Sequence, residues 1–187
     1  VDEFGQTLEI FVKERKEAHL LIEDFMLLAN REVATLMAQK GKSQEIPFPY
    51  RVHDVPDPDR LMDFQRFARE LGFSLQIDTP KQISKSFNRL AEAAKEDEKL
   101  RLLEPLAIRT MAKAIYTTNN IGHYGLAFDF YTHFTSPIRR YSDVLVHRIL
   151  DANLHAIHRE DKTNLEARCK HISDRERAAM TAERESI

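Results

Sequence analysis

The chain has 187 residues, of which 42% are apolar and 31% charged, with a formal net charge of −2. That balance describes a globular domain with a core; it excludes a fibrous or low-complexity protein and a globally basic nucleic-acid binder, although a local basic site can sit in a near-neutral chain. The one cysteine, Cys169, excludes a disulfide framework and a cysteine-rich zinc site, and no apolar run approaches a membrane span, so a reducing, cytoplasmic setting is expected.

With 5 glycines in the whole chain, tight turns are scarce and long helices are the expectation. Residues 1–15 alternate around Gly5, with Leu8, Ile10 and Val12 on one face, which predicts a strand or hairpin. Residues 17–40 form a helical pattern: Ala18, Ile22, Phe25, Ala29, Val33 and Leu36 recur at three and four, and Leu21, Leu28 and Met37 widen the stripe. Residues 41–58 hold Gly41 and Pro47, Pro49, Pro56 and Pro58, and are expected as an extended loop. Asp57 and Pro58 open a helix to about Leu71, with Gly72 beyond its end, and Thr79-Pro80 opens another over roughly 80–95. Glu92–Glu98 is a charged stretch. Residues 99–117 again read as a helix, on Leu102, Leu106, Ile108, Met111 and Ile115.

The aromatic run over 123–131, after Asn119-Asn120-Ile121-Gly122, predicts a strand following a turn. A loop over 132–138 leads to a helix at about 139–157, and a last helix starts near Thr163. The expected fold is α+β and mostly α-helical, with a short N-terminal strand or hairpin and a strand near 123–131. No repeat or domain boundary stands out. The chain opens on Val1 rather than Met and ends at Ile187 inside a helical pattern, so it is expected to be a piece of a longer protein.

The most informative segment runs His133-Phe-Thr-Ser-Pro-Ile-Arg-Arg-Tyr-Ser-Asp143. Ser136 can cap the helix that Pro137 begins, and the free amides of that end favour an anion such as phosphate. Arg139 and Arg140 would sit in the first turn, where the helix dipole disfavours cations and a bound phosphate would supply a partner. Tyr131, Phe134 and Tyr141 lie close by, and aromatic faces beside arginines suit single-stranded nucleic acid. The competing reading pairs the two arginines with carboxylates such as Asp143 and puts Tyr141 in a core. On the first long helix, Glu23 stands with Asp24 among apolar residues and shares a face with Asn30, seven positions on. Its carboxylate could accept from a ribose 2′-hydroxyl, or pair with a basic neighbour. His123, His133 and His147 lack the spacing of a metal site and are expected to be structural or to contact backbone.

The stretch Gly122-His-Tyr-Gly-Leu-Ala, together with His133 to Asp143 and on to His147-Arg148, resembles the signature of the ribonuclease II/R (RNB) exoribonuclease family. His19 to Asn30, Arg51-Val-His-Asp-Val-Pro-Asp57 and Ile108 to Tyr116 resemble further blocks in the same order, so the resemblance covers nearly the whole chain as a single partial RNB catalytic domain. It implies processive 3′→5′ hydrolysis of single-stranded RNA to nucleoside 5′-monophosphates at a magnesium site. It also implies that Arg139 stabilises the reacting phosphate, that Glu23 recognises the 3′-terminal ribose and that Glu183 lies near the active site. The expected RNA-contacting set is then Glu23, Tyr131, His133, Ser136, Arg140 and Tyr141, beside catalytic Arg139 and Glu183.

One departure matters. The family's aspartate cluster, an Asp followed closely by Asp-x-Asp-Asp, does not occur in these 187 residues. No metal ligand is expected here; Mg2+ would be held by carboxylates outside this chain. RNA is the expected partner, without a membrane and without DNA. Two other readings stay open: a catalytically dead RNA-binding or regulatory relative, and a helical module that binds proteins.

Overall fold

The structure is a computed structural model that describes residues 14–186. The strand or hairpin expected over 1–15 lies outside these residues but for its last two positions. In chain order the elements are α1 (Glu17–Lys40), β1 (Tyr50–Val52), α2 (Pro58–Glu70), α3 (Pro80–Glu96), α4 (Glu98–Arg101), α5 (Leu103–Thr110), β2 (Ile115–Thr117), a single 3-10 turn (Tyr124–Leu126), α6 (Tyr141–Ala152) and α7 (Lys162–Glu185). The mostly helical α+β character matches the sequence reading.

Local chemistry explains several boundaries. Asp57 accepts from the amides of Asp59 and Arg60 ahead of Pro58. Thr79 accepts from Gln82 N ahead of Pro80, and Asp161 from Thr163 N and Asn164 N. Each side chain satisfies amides that a helix start leaves unpaired.

Three expectations are corrected. The helix over 99–117 is instead two short helices and a strand, with Met111 extended (φ −68°, ψ 141°) and Ile115–Thr117 paired to β1. Ile115, Tyr116 and Thr117 are β-branched and aromatic, and pairing Arg51 with Tyr116 buries the tyrosine, so tertiary context overrides the helical spacing. The segment 123–131 is not a strand. Gly122 (φ 81°) and Ala127 (φ 54°) take left-handed backbone and fold it back on itself, so that His123 and Phe128 bond each other's backbone. Its aromatic content signalled burial rather than extension, and Tyr131 is buried. Finally, the helix expected over 139–157 is shorter at both ends. At its far end Asn153 donates to Ile149 O (2.8 Å) and accepts from His158 N (2.8 Å), closing α6.

The core is in two parts that share no residue. One gathers Met37 of α1, Phe48, Val52 of β1, Tyr116 of β2, Val146 of α6 and Leu165 of α7. The other is built by α2–α5 around Phe64, Ala68, Leu90 and Leu103. The four helices of the second core are the connection between β1 and β2, which are antiparallel neighbours in one two-stranded sheet. His53 Nε2, 2.7 Å from Ala112 O, and Tyr124, whose hydroxyl donates to Pro80 O (3.1 Å), join the two parts.

A row of rings runs through the first part. His53 and His123 lie 5.2 Å apart by centroids, His123 and Tyr131 5.2 Å, Tyr131 and His133 5.7 Å, and His133 and Tyr116 5.7 Å. The Tyr116 hydroxyl is 2.6 Å from His133 Nδ1, and the Arg51 guanidinium lies 4.5 Å over the Tyr116 ring. Burial, with nearby His53 and Arg51, pushes His123 down to about 4. Burial, with Arg140 and Arg51, pushes His133 down to about 3. Both imidazoles are therefore neutral near pH 7.

Two predictions follow from this packing. In urea, Leu103→Ala and Leu165→Ala, each removing a fully buried side chain, should lower stability by about 2–5 kcal/mol and shift different unfolding transitions; a single transition moved equally by both would refute separate cores. Acid should also destabilise the fold. The two histidines have folded pKa values below the unfolded one, so the unfolded state takes up protons first as pH falls. Stability is intact above about 6.5 and declines toward 3, losing roughly 2 kcal/mol per histidine by pH 5. His133→Gln should flatten that slope in denaturant titrations at pH 7.5 and 5, and an unchanged slope would contradict it.

Candidate functional site

The segment 131–140 has no regular helix or strand, so its amides must find side-chain partners. Asp143, fully buried in the first turn of α6, supplies one. Its Oδ2 accepts from Ser136 N (2.7 Å) and from Arg140 Nη2 (2.8 Å), while Oδ1 accepts from Arg140 Nε (3.0 Å) and Ser142 Oγ (3.0 Å). This corrects the expected cap. Residues 137–139 form a turn, α6 begins at Tyr141, and Arg140 occupies the capping position without a side-chain cap bond. A carboxylate that takes an amide and a guanidinium together outcompetes a serine hydroxyl.

The two arginines part company here. Arg140 is held by Asp143, as the structural reading had it, with its side chain 20% exposed. Arg139 is exposed; its one side-chain bond among the described residues is a long one, 3.5 Å, to Ser136 Oγ. The turn thus fixes one guanidinium in order to present the next.

Arg139 opens onto a cleft of about 570 Å³. One wall carries Arg139, Arg140 and the exposed ring of Tyr141; the other is α7, with Arg175, Glu176 and Glu183; Tyr116 also lines it. Glu176 is committed: Arg51 Nη1 donates to its Oε2 (2.7 Å) and Nη2 to its Oε1 (3.1 Å). Burial raises the Tyr116 phenol above its ordinary range. The cleft can therefore offer an anion two guanidinium groups, Arg139 and Arg175, beside an aromatic face.

The structure brings Arg139, Arg140, Tyr141 and Glu183 together at this cleft. Tyr131, His133 and Ser136 are not among its lining residues. Tyr131 is buried, with burial raising its phenol and its hydroxyl accepting from Asn30 Nδ2 (3.1 Å). His133 meets Tyr116, and Ser136 N meets Asp143. Glu23 lies on the exposed start of α1, ion-paired with Arg15. His147 contacts backbone, its Nε2 2.8 Å from Phe134 O, with its ring stacked on Phe134. Sequence reasoning did not single out Arg51 and Glu176 as a pair, and it used Asn30 only as a landmark for Glu23. A lone amide on the inward face of a long apolar helix was the available signal for Asn30.

Among the described residues no group of three or more His, Cys, Asp or Glu is placed to hold a metal. A magnesium ion wants several converging oxygens. The cleft offers Glu183 and a Glu176 already bound by Arg51, so these residues do not fit that ion by themselves.

Comparison with known proteins agrees with this arrangement of blocks. Residues 1–156 match the RNB domain family. Ribonuclease R of Aquifex aeolicus is 38% identical over 191 aligned residues, covering 100% of this chain and 26% of that protein. The apo form of Mycoplasma genitalium RNase R superposes with a TM-score of 0.83 at 30% identity, over 99% of this chain and 29% of that one. The same enzyme in complex with ribose-methylated single-stranded RNA gives 0.75 over 93% and 27%. Yeast Ssd1, described as a pseudonuclease, gives 0.69 at 25% identity, over 85% and 20%. The chain spans about a quarter of the length of the relatives it matches. By a family match over most of its length and by its fold, this chain belongs to the RNB domain family.

Proposed function

We propose that the chain is part of an exoribonuclease that degrades single-stranded RNA processively from the 3′ end to nucleoside 5′-monophosphates. The observation that carries this reading is the Arg139 turn: an exposed guanidinium beside one locked on a buried carboxylate, facing a cleft whose far wall carries Glu183. A guanidinium held at a fixed place can stabilise charge that develops on a phosphoryl oxygen without reorganising. Tyr141 stacks a base at the rim, and Arg175 neutralises a neighbouring phosphate. Glu23 accepts from the 2′-hydroxyl of the terminal ribose once Arg15 yields it. Tyr131, His133 and Ser136 act on RNA through the loop they hold.

Mg2+ belongs to aspartates outside these residues, so the 187-residue chain alone does not cleave RNA and binds it weakly, in a salt-dependent way. The whole enzyme works in the cytoplasm, away from membranes and DNA. The match to a pseudonuclease favours a second reading, an RNA-binding relative without catalysis; whether the protein carrying the whole domain has the Asp-x-Asp-Asp cluster separates the two.

In that larger protein, Arg139→Ala should lower turnover of 5′-labelled RNA by about 10²–10³-fold and leave the melting temperature nearly unchanged, because Arg139 is exposed. Wild-type turnover in the variant, or a lower melting temperature that accounts for the loss, would sink the assignment. The isolated chain, free of contaminating nuclease, should leave the same RNA intact in magnesium; chelator-sensitive shortening would overturn its inactivity.

A further inference from the structure

We infer that Asn30 is a positioning residue, tying α1 to the loop that carries Arg139 and thereby setting where that guanidinium reaches. The inference rests on the proposed role of Arg139. Asn30 is 3% exposed. Its Oδ1 accepts from Phe134 N (2.9 Å) and Thr135 N (3.2 Å), and its Nδ2 donates to the Tyr131 hydroxyl (3.1 Å). Two amide donors on one oxygen fix which way the side-chain amide faces.

The next amide along, Ser136 N, goes to Asp143 Oδ2. Three consecutive loop amides therefore end on two buried side-chain oxygens from two different helices. Phe134 is held at its carbonyl as well, by His147. Arg139 follows three residues after the last of these amides. Its backbone lies between Ser136 and Arg140, both held by Asp143 on α6, and the anchor that α1 supplies to the same loop is Asn30. The α6 contacts alone would fix Ser136 and the Phe134 carbonyl but leave the amides of Phe134 and Thr135 without an acceptor. Asn30 also lies two helical turns from Glu23 on the same face of α1, so one side chain sets the spacing between the ribose contact and the phosphate contact.

Asn153 provides a control of the same residue type. It is 1% exposed, bonds backbone with both side-chain ends, and lies at the far end of α6, outside the cleft lining. In the protein carrying the whole domain, Asn30→Ala should lower kcat on 5′-labelled RNA at least about tenfold, since a displacement of 1 Å can reduce rate by up to about 10²-fold, with KM within about threefold. Asn30→Asp, which keeps the oxygen that accepts from both amides and can accept a hydrogen bond from the Tyr131 hydroxyl, should restore most of kcat. Asn153→Ala should melt earlier but keep kcat within about twofold per folded molecule. Wild-type kcat in Asn30→Ala, or equal losses in Asn30→Ala and Asn153→Ala that follow the folded fraction, would overturn the inference. If the wild-type protein does not shorten RNA, the ribonuclease reading fails instead. Hydrogen exchange at Phe134 and Thr135 then decides: faster exchange in Asn30→Ala alone supports the anchor, and unchanged protection overturns it.

Discussion

A carboxylate with no access to water must be satisfied by the protein around it, and Asp143 is satisfied by the turn it holds. Four donors converge on its two oxygens from Ser136, Arg140 and Ser142. Removing Arg140 would leave that charge stranded in a low-dielectric interior, and the Ser136 amide and Ser142 hydroxyl complete its hydrogen bonds, so the turn, the first residues of α6 and the Arg140 guanidinium form one unit. The same logic appears at Arg51. Its guanidinium is mostly buried, its charge is met bidentately by Glu176, and its flat face lies on Tyr116. Arg140 and Glu176, one partner from each of these ion pairs, line the cleft and leave Arg139 and Arg175 as its guanidinium groups not consumed in holding the fold.

Such a division of labour between adjacent arginines suits a site that handles phosphate. A pocket built from mobile cations would lose their conformational entropy at each binding event. Here the backbone of the Arg139 loop is set beforehand by Asn30 and Asp143, and side chains such as Arg139 remain to be ordered. Neutral His133 serves the same end: it bonds the Tyr116 phenol rather than carry charge, so it does not compete for an anion.

The sequence was most legible where local chemistry decides structure. Asp57-Pro58 and Thr79-Pro80 mark helix starts by capping, and both helices are there. It was least legible where distant partners decide. Nothing local distinguishes Ile115-Tyr116-Thr117 as the final turn of a helix from the same residues as a strand; the partner, Tyr50–Val52, is more than sixty residues away. The aromatic segment over 123–131 misled for a related reason, since its backbone is ruled by left-handed Gly122 and Ala127. The apolar stripe of α1 was read correctly as a helix, and its burial is settled by distant partners. Asn30, Ala34 and Met37 are buried, whereas Leu21, Ile22 and Phe25 are exposed. Residue types singled out Arg139, Arg140 and Tyr141, which the structure gathers at one cleft. Which arginine would be locked and which presented needed the position of Asp143.

The placement of α2–α5 between β1 and β2 bears on the order in which the chain assembles. Two strands of three residues offer few hydrogen bonds against the entropy of closing the long loop 53–114. The balance changes once that loop is folded. Contact between α2 and α5 brings the two ends of the connection together, and the strands then meet as though across a short hairpin. The helical unit thus acts as a folded turn: it lowers the entropic cost of pairing two strands that belong to the other core.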